Sequence, residues 1–372
     1  MARAKCVGAQ REHSALEFPG AVAAYLYVRR LALLPGKGDM GNAGLGLSVL
    51  IIVLVGLGAF LFWGRRLLAH LRRGSEMVET PHGPVEFARV GTGPVILQLH
   101  GGATGYDQTL ALRWDAQEAG FTVLTPSRPG YLRTPLSTGA TPEEAVDAMS
   151  GLLDILGIEK VAVMGTSGGG PTALQFALRH RNRVWALVLQ SAVSRRYVEP
   201  RRSTHSLLGR VVFSRSGQGL VDFAGWAFHV IARYWPSLLV RMFFNASEDP
   251  QLDKAKQRRA YVRRHPAQLA FFHALVASGL SLSARRAGLW NDLHQYADLP
   301  VYPLEQITCP TLVLHGRADG NVPFAHAEFI ARTVPNADLL ALEDCGHLIW
   351  VGPGAESARE KVLFFLRQHS GQ

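Results

Sequence analysis

The stretch Val161-Ala162-Val163-Met164-Gly165-Thr166-Ser167-Gly168-Gly169 places a G-x-S-x-G motif directly after an apolar run, and a helix-like segment begins near Gly170. Where a strand turns sharply into a helix, the apex residue is strained and needs small neighbours. Gly165, Gly168 and Gly169 supply that clearance. The motif alone also fits an ordinary glycine-rich turn, but the flanking strand and helix favour a nucleophilic serine at Ser167.

Short apolar runs alternate with helical segments on both sides of this motif, and the alternation predicts the fold class. Predicted strands cover residues 85–90, 95–99, 122–125, 161–164, 184–189, 311–314 and 338–342. Predicted helices cover residues 106–119, 142–156, 171–179, 323–333 and 356–368. We therefore expect an α/β fold with a mostly parallel central sheet and helices on both faces.

The alternation stops near residue 195 and resumes at Thr311, and an unstructured connection of that length is uncommon inside a compact domain. The interruption has helical apolar spacing and many aromatic residues, namely Phe223, Trp226, Phe228, Tyr234, Trp235, Phe243, Phe244, Phe271 and Phe272. We predict a helical cap over residues 195–305, inserted between core segments 78–194 and 306–372. Most of these aromatic rings are expected in the cap core, and a few could line a substrate pocket.

The segment 45–63 is apolar, and no charged residue occurs between Met40 and Gly64. A run of about 18 or more such residues can cross the hydrocarbon core of a bilayer as a helix. No small-x-small cleavage site follows; the next cations are Arg65, Arg66, Arg72 and Arg73. The pattern predicts an uncleaved single-pass membrane anchor, since its length and flank argue against a signal-peptide core or a buried helix.

The two flanks of this segment set its expected orientation. The C-terminal flank is slightly more cationic than the N-terminal one, which carries Arg29, Arg30 and Lys37. The positive-inside rule then predicts a cytoplasmic C-terminal domain. Residues 1–39 show no clear period, and translation from Met40 is a hypothesis that would strengthen this orientation.

Composition narrows the classes of partner and cofactor. The chain has 372 residues and a formal net charge of +10, with many cations between residues 195 and 264. No nucleic-acid-binding motif accompanies them, so a solvated face is expected, with attraction to an anionic membrane as an alternative. Cys6, Cys309 and Cys345 are scattered without metal-ligand spacing, which predicts neither a disulfide framework nor a zinc site.

A serine hydroxyl is a poor nucleophile, so Ser167 requires a histidine base and a carboxylate that orients the histidine. His347 follows the last predicted strand within Asp344-Cys345-Gly346-His347-Leu348. Asp319 follows the strand 311–314. The chain order Ser, Asp, His is the order expected for a serine nucleophile on such a sheet.

Other roles for these residues stay open. Asp319 could cap the helix that starts near Pro323, and His347 could be an ordinary loop histidine. Asp344 and Glu343 are alternative acids, although they lie close in sequence to His347. His315 is expected to be structural.

The loop His100-Gly101-Gly102-Ala103 follows the strand 95–99 and could stabilise an oxyanion with backbone N–H groups. We expect the donors of this oxyanion hole to be the N–H groups of Gly168 and Gly102, with Ala103 as second choice. His100 is expected to fix the loop through hydrogen bonds.

Together these residues resemble the α/β-hydrolase superfamily, in the subgroup of capped esterases, lipases, perhydrolase-like haloperoxidases and C–C bond hydrolases. The resemblance covers most of residues 78–370 and rests on motifs in the family's order: His100-Gly101-Gly102, Ser127-Arg128-Pro129-Gly130-Tyr131, the Ser167 motif, Asp319 and Gly346-His347. It implies Ser167 as nucleophile, Asp319 as acid and His347 as base. The family commonly has a further glycine where this chain has Leu132.

The resemblance also restricts the chemistry. Epoxide hydrolases and haloalkane dehalogenases of this fold carry an aspartate where this chain has Ser167, so an acyl-enzyme route is expected. We expect a carboxylesterase or lipid-acyl hydrolase that needs no cofactor, no metal and no nucleic acid, and that takes a small, lipophilic ester. A C–C bond hydrolase, a perhydrolase, an acyltransferase and a non-catalytic binding protein are the alternatives.

Overall fold

The computed structural model describes residues 42–112, 116–198, 217–247 and 254–371. The chain divides into an N-terminal unit that ends at Arg72 and a globular unit from Arg73 to Gln372, and each is considered by itself. The described part of the N-terminal unit lies in helix α1 (Asn42–Arg73), whose last residue is counted with the globular unit. Among the described helices, α1 is the one that is long and apolar enough by itself to cross a membrane, which makes it a candidate span. The segment 1–39 lies outside the described residues.

The described strands of the globular unit form one eight-stranded sheet with the order β1-β2-β4-β3-β5-β6-β7-β8. Strands β1 and β2 pair antiparallel, β2 pairs antiparallel with β4, and the remaining pairs are parallel. The strands are β1 (Glu76–Thr80), β2 (Gly83–Gly91), β3 (Val95–Leu99), β4 (Thr122–Pro126), β5 (Val161–Thr166), β6 (Val184–Gln190), β7 (Thr311–Gly316) and β8 (Ala337–Leu342).

Helices connect the parallel strands and cover the sheet. Those attached to the sheet are α2 (Tyr106–Ala111), α3 (Pro142–Ile155), α4 (Gly170–Arg179), α10 (Ala325–Thr333) and α11 (Ala355–His369). Helix α3 begins at Pro142 because Thr141 and Glu144 form a capping box and proline is favoured in the first turn of a helix.

The chain between β6 and β7 contains a second group of described helices. These are α5 (Gln218–Tyr234), α6 (Pro236–Ser247), α7 (Lys254–Arg264), α8 (Pro266–Ala277) and α9 (Arg286–Ala297). They lie within the predicted cap, whose boundaries remain a prediction; residues 199–216 and 248–253 lie outside the described residues.

The core occupies both faces of the sheet because successive side chains of a strand point to opposite faces. Val163 lies in a buried cluster with residues of α3, α4 and α10. Its neighbours Ala162 and Met164 lie in a second cluster with residues of α11 and of the cap helices α6 to α8. Strands β4 to β7 are buried throughout, which explains why they appear in the sequence as continuous apolar runs.

The α/β class and the mostly parallel sheet are confirmed, with two local differences from expectation. Strand β1 was not predicted, because it is a largely exposed edge strand with two glutamates. The helix expected over residues 106–119 ends at Ala111. Leu112 leaves the helical conformation there and is buried in the core, and the chain turns again where Phe121 N–H donates to the Ala116 carbonyl.

Candidate active site

Ser167 stands at the junction between β5 and α4 with a positive φ of 50°, a conformation that L-residues rarely adopt. The neighbouring glycines make room for this turn. A Cβ at Gly165 would lie 2.6 Å from the Cβ of Ala173, and one at Gly169 would lie 2.6 Å from the Leu99 carbonyl oxygen. Only glycine fits at these positions, so the motif produces the sharp turn that exposes the serine side chain.

Ser167, His347 and Asp319 form a continuous hydrogen-bonded chain. His347 Nε2 lies 3.0 Å from Ser167 Oγ, and His347 Nδ1 lies 2.8 Å from Asp319 Oδ2. A carboxylate only accepts hydrogen bonds, so Nδ1 carries the ring proton and Nε2 is left to accept the Ser167 hydroxyl. The three residues follow β5, β8 and β7, whose carboxyl ends meet at one edge of the sheet.

Asp319 is buried, and both of its carboxylate oxygens are occupied. Oδ1 accepts the backbone N–H groups of Asn321 and Val322 at 2.9 and 2.8 Å, and Oδ2 lies 3.2 Å from His315 Nε2. Burial by itself raises the pKa of Asp319, but the charges and hydrogen bonds of His347 and His315 outweigh it and hold that pKa well below its usual range. Asp319 therefore remains ionised.

His315, which we expected to be structural, is a second partner of the Asp319 carboxylate. Its Nε2 lies 2.9 Å from the Val322 carbonyl oxygen and 3.2 Å from Asp319 Oδ2, so Nε2 carries a proton and faces two acceptors. The sequence feature that could have indicated this contact is the position of His315 at the end of β7, four residues before Asp319. Of the alternative acids, Glu343 pairs instead with Arg317 at 2.7 Å on the surface.

The two expected oxyanion donors lie next to each other. A Cβ built on Gly168 would lie 3.1 Å from the backbone nitrogen of Gly102. The Gly168 N–H belongs to the first turn of the 3-10 helix Ser167–Gly169, where N–H groups lack intrahelical acceptors. The loop before Gly102 passes close to the serine, because a Cβ at Gly101 would lie 3.3 Å from the Cβ of Ser167. Ala103, the second choice, has a φ of 59° in the same loop.

His100 fixes this loop through hydrogen bonds that require a single tautomer of its ring. Its Nε2 accepts the Arg128 backbone N–H at 2.9 Å, so Nδ1 carries the proton and donates to the Gly101 carbonyl at 2.8 Å. Burial, and next the charge of Arg128, lower the pKa of His100 well below its usual value. The imidazole therefore stays neutral and keeps both hydrogen bonds.

Leu132, which stands where the family commonly has glycine, has a positive φ of 50°. Its backbone N–H donates to the Ala284 carbonyl of the cap segment at 2.8 Å. The loop therefore keeps the left-handed conformation that favours glycine, at a cost of roughly 1–2 kcal/mol.

Cap residues contact every loop of this site. The Tyr296 hydroxyl of α9 donates to the Gly168 carbonyl. The Ser247 carbonyl, at the end of α6, accepts the backbone N–H groups of His347 and Gly320 at 3.0 and 3.3 Å. Arg258 of α7 is buried, and its Nη2 donates to the carbonyls of Leu348 and Val351, both at 2.8 Å. The cap thus contacts the loops that carry Ser167, Asp319 and His347.

Across the described ranges 42–112, 116–198, 217–247 and 254–371, no group of three or more His, Cys, Asp or Glu side chains could hold a metal ion. The arrangement of Ser167, His347 and Asp319 is suited to transfer a proton from the serine hydroxyl while that oxygen attacks an electrophilic carbon.

Comparison with known proteins agrees with this architecture. The chain is 30% identical over 302 residues to the uncharacterized hydrolase YcgS of Bacillus subtilis, covering 80% of this chain and 99% of that protein. An alpha/beta hydrolase fold protein from Nakamurella multipartita, whose structure is solved, is 31% identical with a TM-score of 0.72. The match covers 80% of this chain and 100% of that one.

Two further relatives have named substrates. The pimeloyl-[acyl-carrier protein] methyl ester esterase of Aromatoleum aromaticum is 29% identical, covering 68% of this chain and 91% of that protein. The 2-hydroxy-6-oxononadienedioate/2-hydroxy-6-oxononatrienedioate hydrolase of Comamonas testosteroni is 27% identical, covering 69% and 82%. The relatives thus include an esterase and a C–C bond hydrolase. The family model of the alpha/beta hydrolase fold matches residues 94–351, and the chain belongs to the α/β-hydrolase family.

Proposed function

We propose that this protein is a serine hydrolase that cleaves carboxylic esters, as a carboxylesterase or a lipid-acyl hydrolase. The observation that carries the proposal is the hydrogen-bonded chain from Ser167 Oγ through His347 to Asp319, with its distances of 3.0 and 2.8 Å. Esters are suitable substrates because their alkoxide leaving group can take up the proton that the histidine removes from the serine.

In the first half-reaction, Ser167 Oγ attacks the ester carbonyl and its proton passes to His347 Nε2. Asp319 stabilises the imidazolium, and the N–H groups of Gly168 and Gly102 bind the negative oxygen of the tetrahedral intermediate. The C–O bond to the leaving group then breaks, and His347 donates its proton to the departing alcohol. An acyl group remains on Ser167.

In the second half-reaction, water replaces the alcohol. His347 removes a proton from the water as its oxygen attacks the acyl-enzyme, and the same N–H groups bind the second oxyanion. The bond to Ser167 Oγ breaks, His347 returns the proton to that oxygen, and the carboxylic acid leaves. Residues of this chain perform every one of these steps.

The test is hydrolysis of short p-nitrophenyl esters by the full chain in detergent, together with labelling by a fluorophosphonate probe. We expect turnover and labelling that both disappear in Ser167→Ala. Ser191→Ala is a matched control, since Ser191 also has a positive φ, of 47°, and its hydroxyl donates to the His347 carbonyl. Labelling at Ser167 must survive in Ser191→Ala, and turnover by Ser167→Ala equal to wild type would contradict the proposal.

A second candidate is hydrolysis of a C–C bond, favoured by the relative that acts on 2-hydroxy-6-oxononadienedioate. The same nucleophile and base would serve both reactions, so substrate preference decides between them. A panel that contains esters and a vinylogous 1,5-diketone, compared by kcat/KM, distinguishes the two functions.

We also propose that α1 anchors the enzyme and that the globular unit lies on the cytoplasmic side. Arg65, Arg66, Arg72 and Arg73 at the C-terminal end of α1 support this orientation. Proteolysis of intact and lysed cells tests it: a globular unit that is degraded before lysis would contradict the proposed side. The lipophilic substrates expected of this enzyme would be drawn from the adjacent membrane.

A further inference from the structure

A cavity of about 510 Å³ lies between helices α6 and α7 of the cap. Ser167 is not one of its lining residues. Among the described residues that line it, four are charged, and all four are cations: Arg241, Lys256, Arg259 and Arg263. Trp235 and Leu238 are two of its apolar lining residues. We call these six residues the basic cap face.

The basic cap face combines these cations with large exposed apolar side chains. Trp235 is 64% exposed; Tyr234, which precedes it, and Met242, about two helical turns after it, are 60% and 48% exposed. Other side chains of the same helices are buried, namely Leu239 of α6 and Val262 of α7, and neither lines the cavity. The exposed apolar groups are therefore not the result of loose packing, because each helix already directs another side into the core.

The chemistry of this face matches a bilayer surface that carries anionic lipids. Between residues 234 and 264 the sequence has seven cations and three acidic residues. Lysine and arginine are attracted to anionic headgroups, while tryptophan and tyrosine prefer the level at which headgroups meet acyl chains. A nucleic acid would use the cations, but it would leave Trp235 and Met242 without an apolar environment.

The chain also provides a reason for this face to meet a membrane. Strand β1 begins at Glu76, and only the twelve residues 64–75 separate it from the end of the apolar segment 45–63 of α1. When α1 is inserted, so short a connection keeps the globular unit at the bilayer surface at a high effective concentration. Weak contacts with headgroups are then sufficient for docking.

We propose that the basic cap face docks on anionic phospholipid headgroups, with the Trp235 ring at the boundary between headgroups and acyl chains. The proposal goes beyond ester hydrolysis, and it gives lipophilic substrates a short route from the bilayer to the cap. Its test uses a readout that requires no catalysis.

The full chain is reconstituted in nanodiscs of phosphatidylcholine, with or without phosphatidylglycerol, whose acyl chains are brominated or unmodified. The chain has seven tryptophans, so emission of Trp235 is obtained as the difference between wild type and Trp235→Phe. We expect bromine to reduce this emission to roughly half in anionic nanodiscs and to change it little in phosphatidylcholine alone. Quenching of Trp63, within α1, is obtained in the same way as the difference between wild type and Trp63→Phe, and it reports insertion.

The charge-reversal variant Arg241→Glu/Arg263→Glu should abolish quenching of Trp235. The matched control is Arg181→Glu/Arg332→Glu, since both arginines are exposed and precede β6 and β8, at the sheet edge opposite the cap. Both variants should have the far-UV circular dichroism spectrum of the wild type, which shows that they are folded.

Three results would overturn the docking proposal: Trp235 emission that brominated anionic lipids leave unchanged, equal quenching in both lipids, or equal quenching in both charge variants. Absence of ester hydrolysis in the wild type would contradict the proposed function instead. The quenching result would still decide the docking proposal, so the two failures can be distinguished.

Discussion

The carboxylate of Asp292 binds the guanidinium of Arg128 through two parallel hydrogen bonds, of 2.8 and 2.6 Å, and both side chains are buried. Asp292 belongs to cap helix α9, whereas Arg128 follows β4 in the core. Arg128 also donates to the carbonyls of His100 and Gly101, at 3.0 and 3.3 Å. The ion pair therefore connects the cap with the carbonyl groups of the two residues that precede the expected oxyanion donor Gly102.

The first prediction concerns this ion pair. Asp292→Asn keeps the side-chain shape but leaves the buried Arg128 without its counter-charge, so we expect the free energy of unfolding to fall by about 3–5 kcal/mol. Tyr131, whose hydroxyl donates to Asp292 at 2.6 Å, keeps an acceptor in the amide oxygen. Urea denaturation measures the loss.

The control for this prediction is Glu343→Gln, which removes an exposed ion pair with Arg317. We expect it to change the free energy of unfolding by less than about 1 kcal/mol and to leave hydrolysis unchanged. The same control tests Glu343 as alternative acid. Equal losses in Asp292→Asn and Glu343→Gln would show that burial of the Arg128 pair has no energetic consequence.

The second prediction concerns Arg258, whose Nη2 donates to two carbonyls of the loop that carries His347. Arg258→Met retains the apolar stem but leaves these carbonyls unpaired, so we expect a loss of about 2–3 kcal/mol in the free energy of unfolding. Displacement of His347 should lower kcat about 10-fold with little change in KM.

Arg258→Lys should recover part of kcat, because an ammonium group can still donate to the loop. Arg264→Met serves as the control, since Arg264 is an exposed cation of the same helix. If Arg258→Met changed only KM and retained kcat, the result would contradict a positioning role for Arg258.

Features of this protein that have a local sequence signal could be predicted, whereas features that depend on contacts between distant segments could not. Ser167, Asp319 and His347 each follow a buried strand that appears as an apolar run, so their common location at one sheet edge could be predicted. Arg128 and Asp292 are 164 positions apart in sequence, and no periodicity indicates that they pair. Strand β1 has a largely exposed, acidic pattern and lacks the apolar signal of its neighbours.

At Leu132 the sequence departs from the family pattern, but the sequence alone does not indicate the conformation of the loop. The missing glycine left the conformation of the loop undetermined, because a leucine ordinarily avoids a positive φ. In the structure the backbone keeps φ at 50°, and the hydrogen bond to the cap carbonyl of Ala284 lies outside any local pattern. Contacts between distant segments decide such positions.

The third prediction is a pH dependence that originates at His326. This residue is buried, and its Nδ1 accepts the backbone N–H of Ser194 at 3.1 Å, which requires the neutral ring. Burial, and next the charge of Arg195, lower the pKa of His326 to about 4. A histidine whose pKa is lower in the folded state contributes full stability above its unfolded pKa, near 6.5.

That stability should be lost as the pH falls from about 6.5 towards 4, with a total on the order of 3 kcal/mol. Urea denaturation at several pH values measures it in the wild type and in His326→Gln, whose amide oxygen can still accept the Ser194 N–H. We expect a smaller loss in the variant over this range. Parallel pH profiles would exclude His326 as the source.

The fourth prediction separates the two expected oxyanion donors by the space around them. A Cβ at Gly168 would lie 2.8 Å from the Tyr296 hydroxyl and 3.1 Å from the Gly102 nitrogen, whereas the nearest atom to a Cβ at Gly102 is Leu289 Cδ1 at 3.8 Å. Gly168→Ala therefore places a methyl group beside the expected donors and pushes the loop away from Ser167. We expect kcat to fall about 100-fold or more, as when an oxyanion donor is lost.

Gly102→Ala is the matched variant, because it adds the same methyl group where there is room for it, and its N–H remains. We expect its kcat to stay within about 5-fold of wild type, with the fluorophosphonate probe still labelling Ser167. Steady-state kinetics on one p-nitrophenyl ester compares the two alanine variants directly. If Gly168→Ala hydrolysed that ester as fast as Gly102→Ala, the methyl group at position 168 would not displace the expected donors, and this prediction would be wrong.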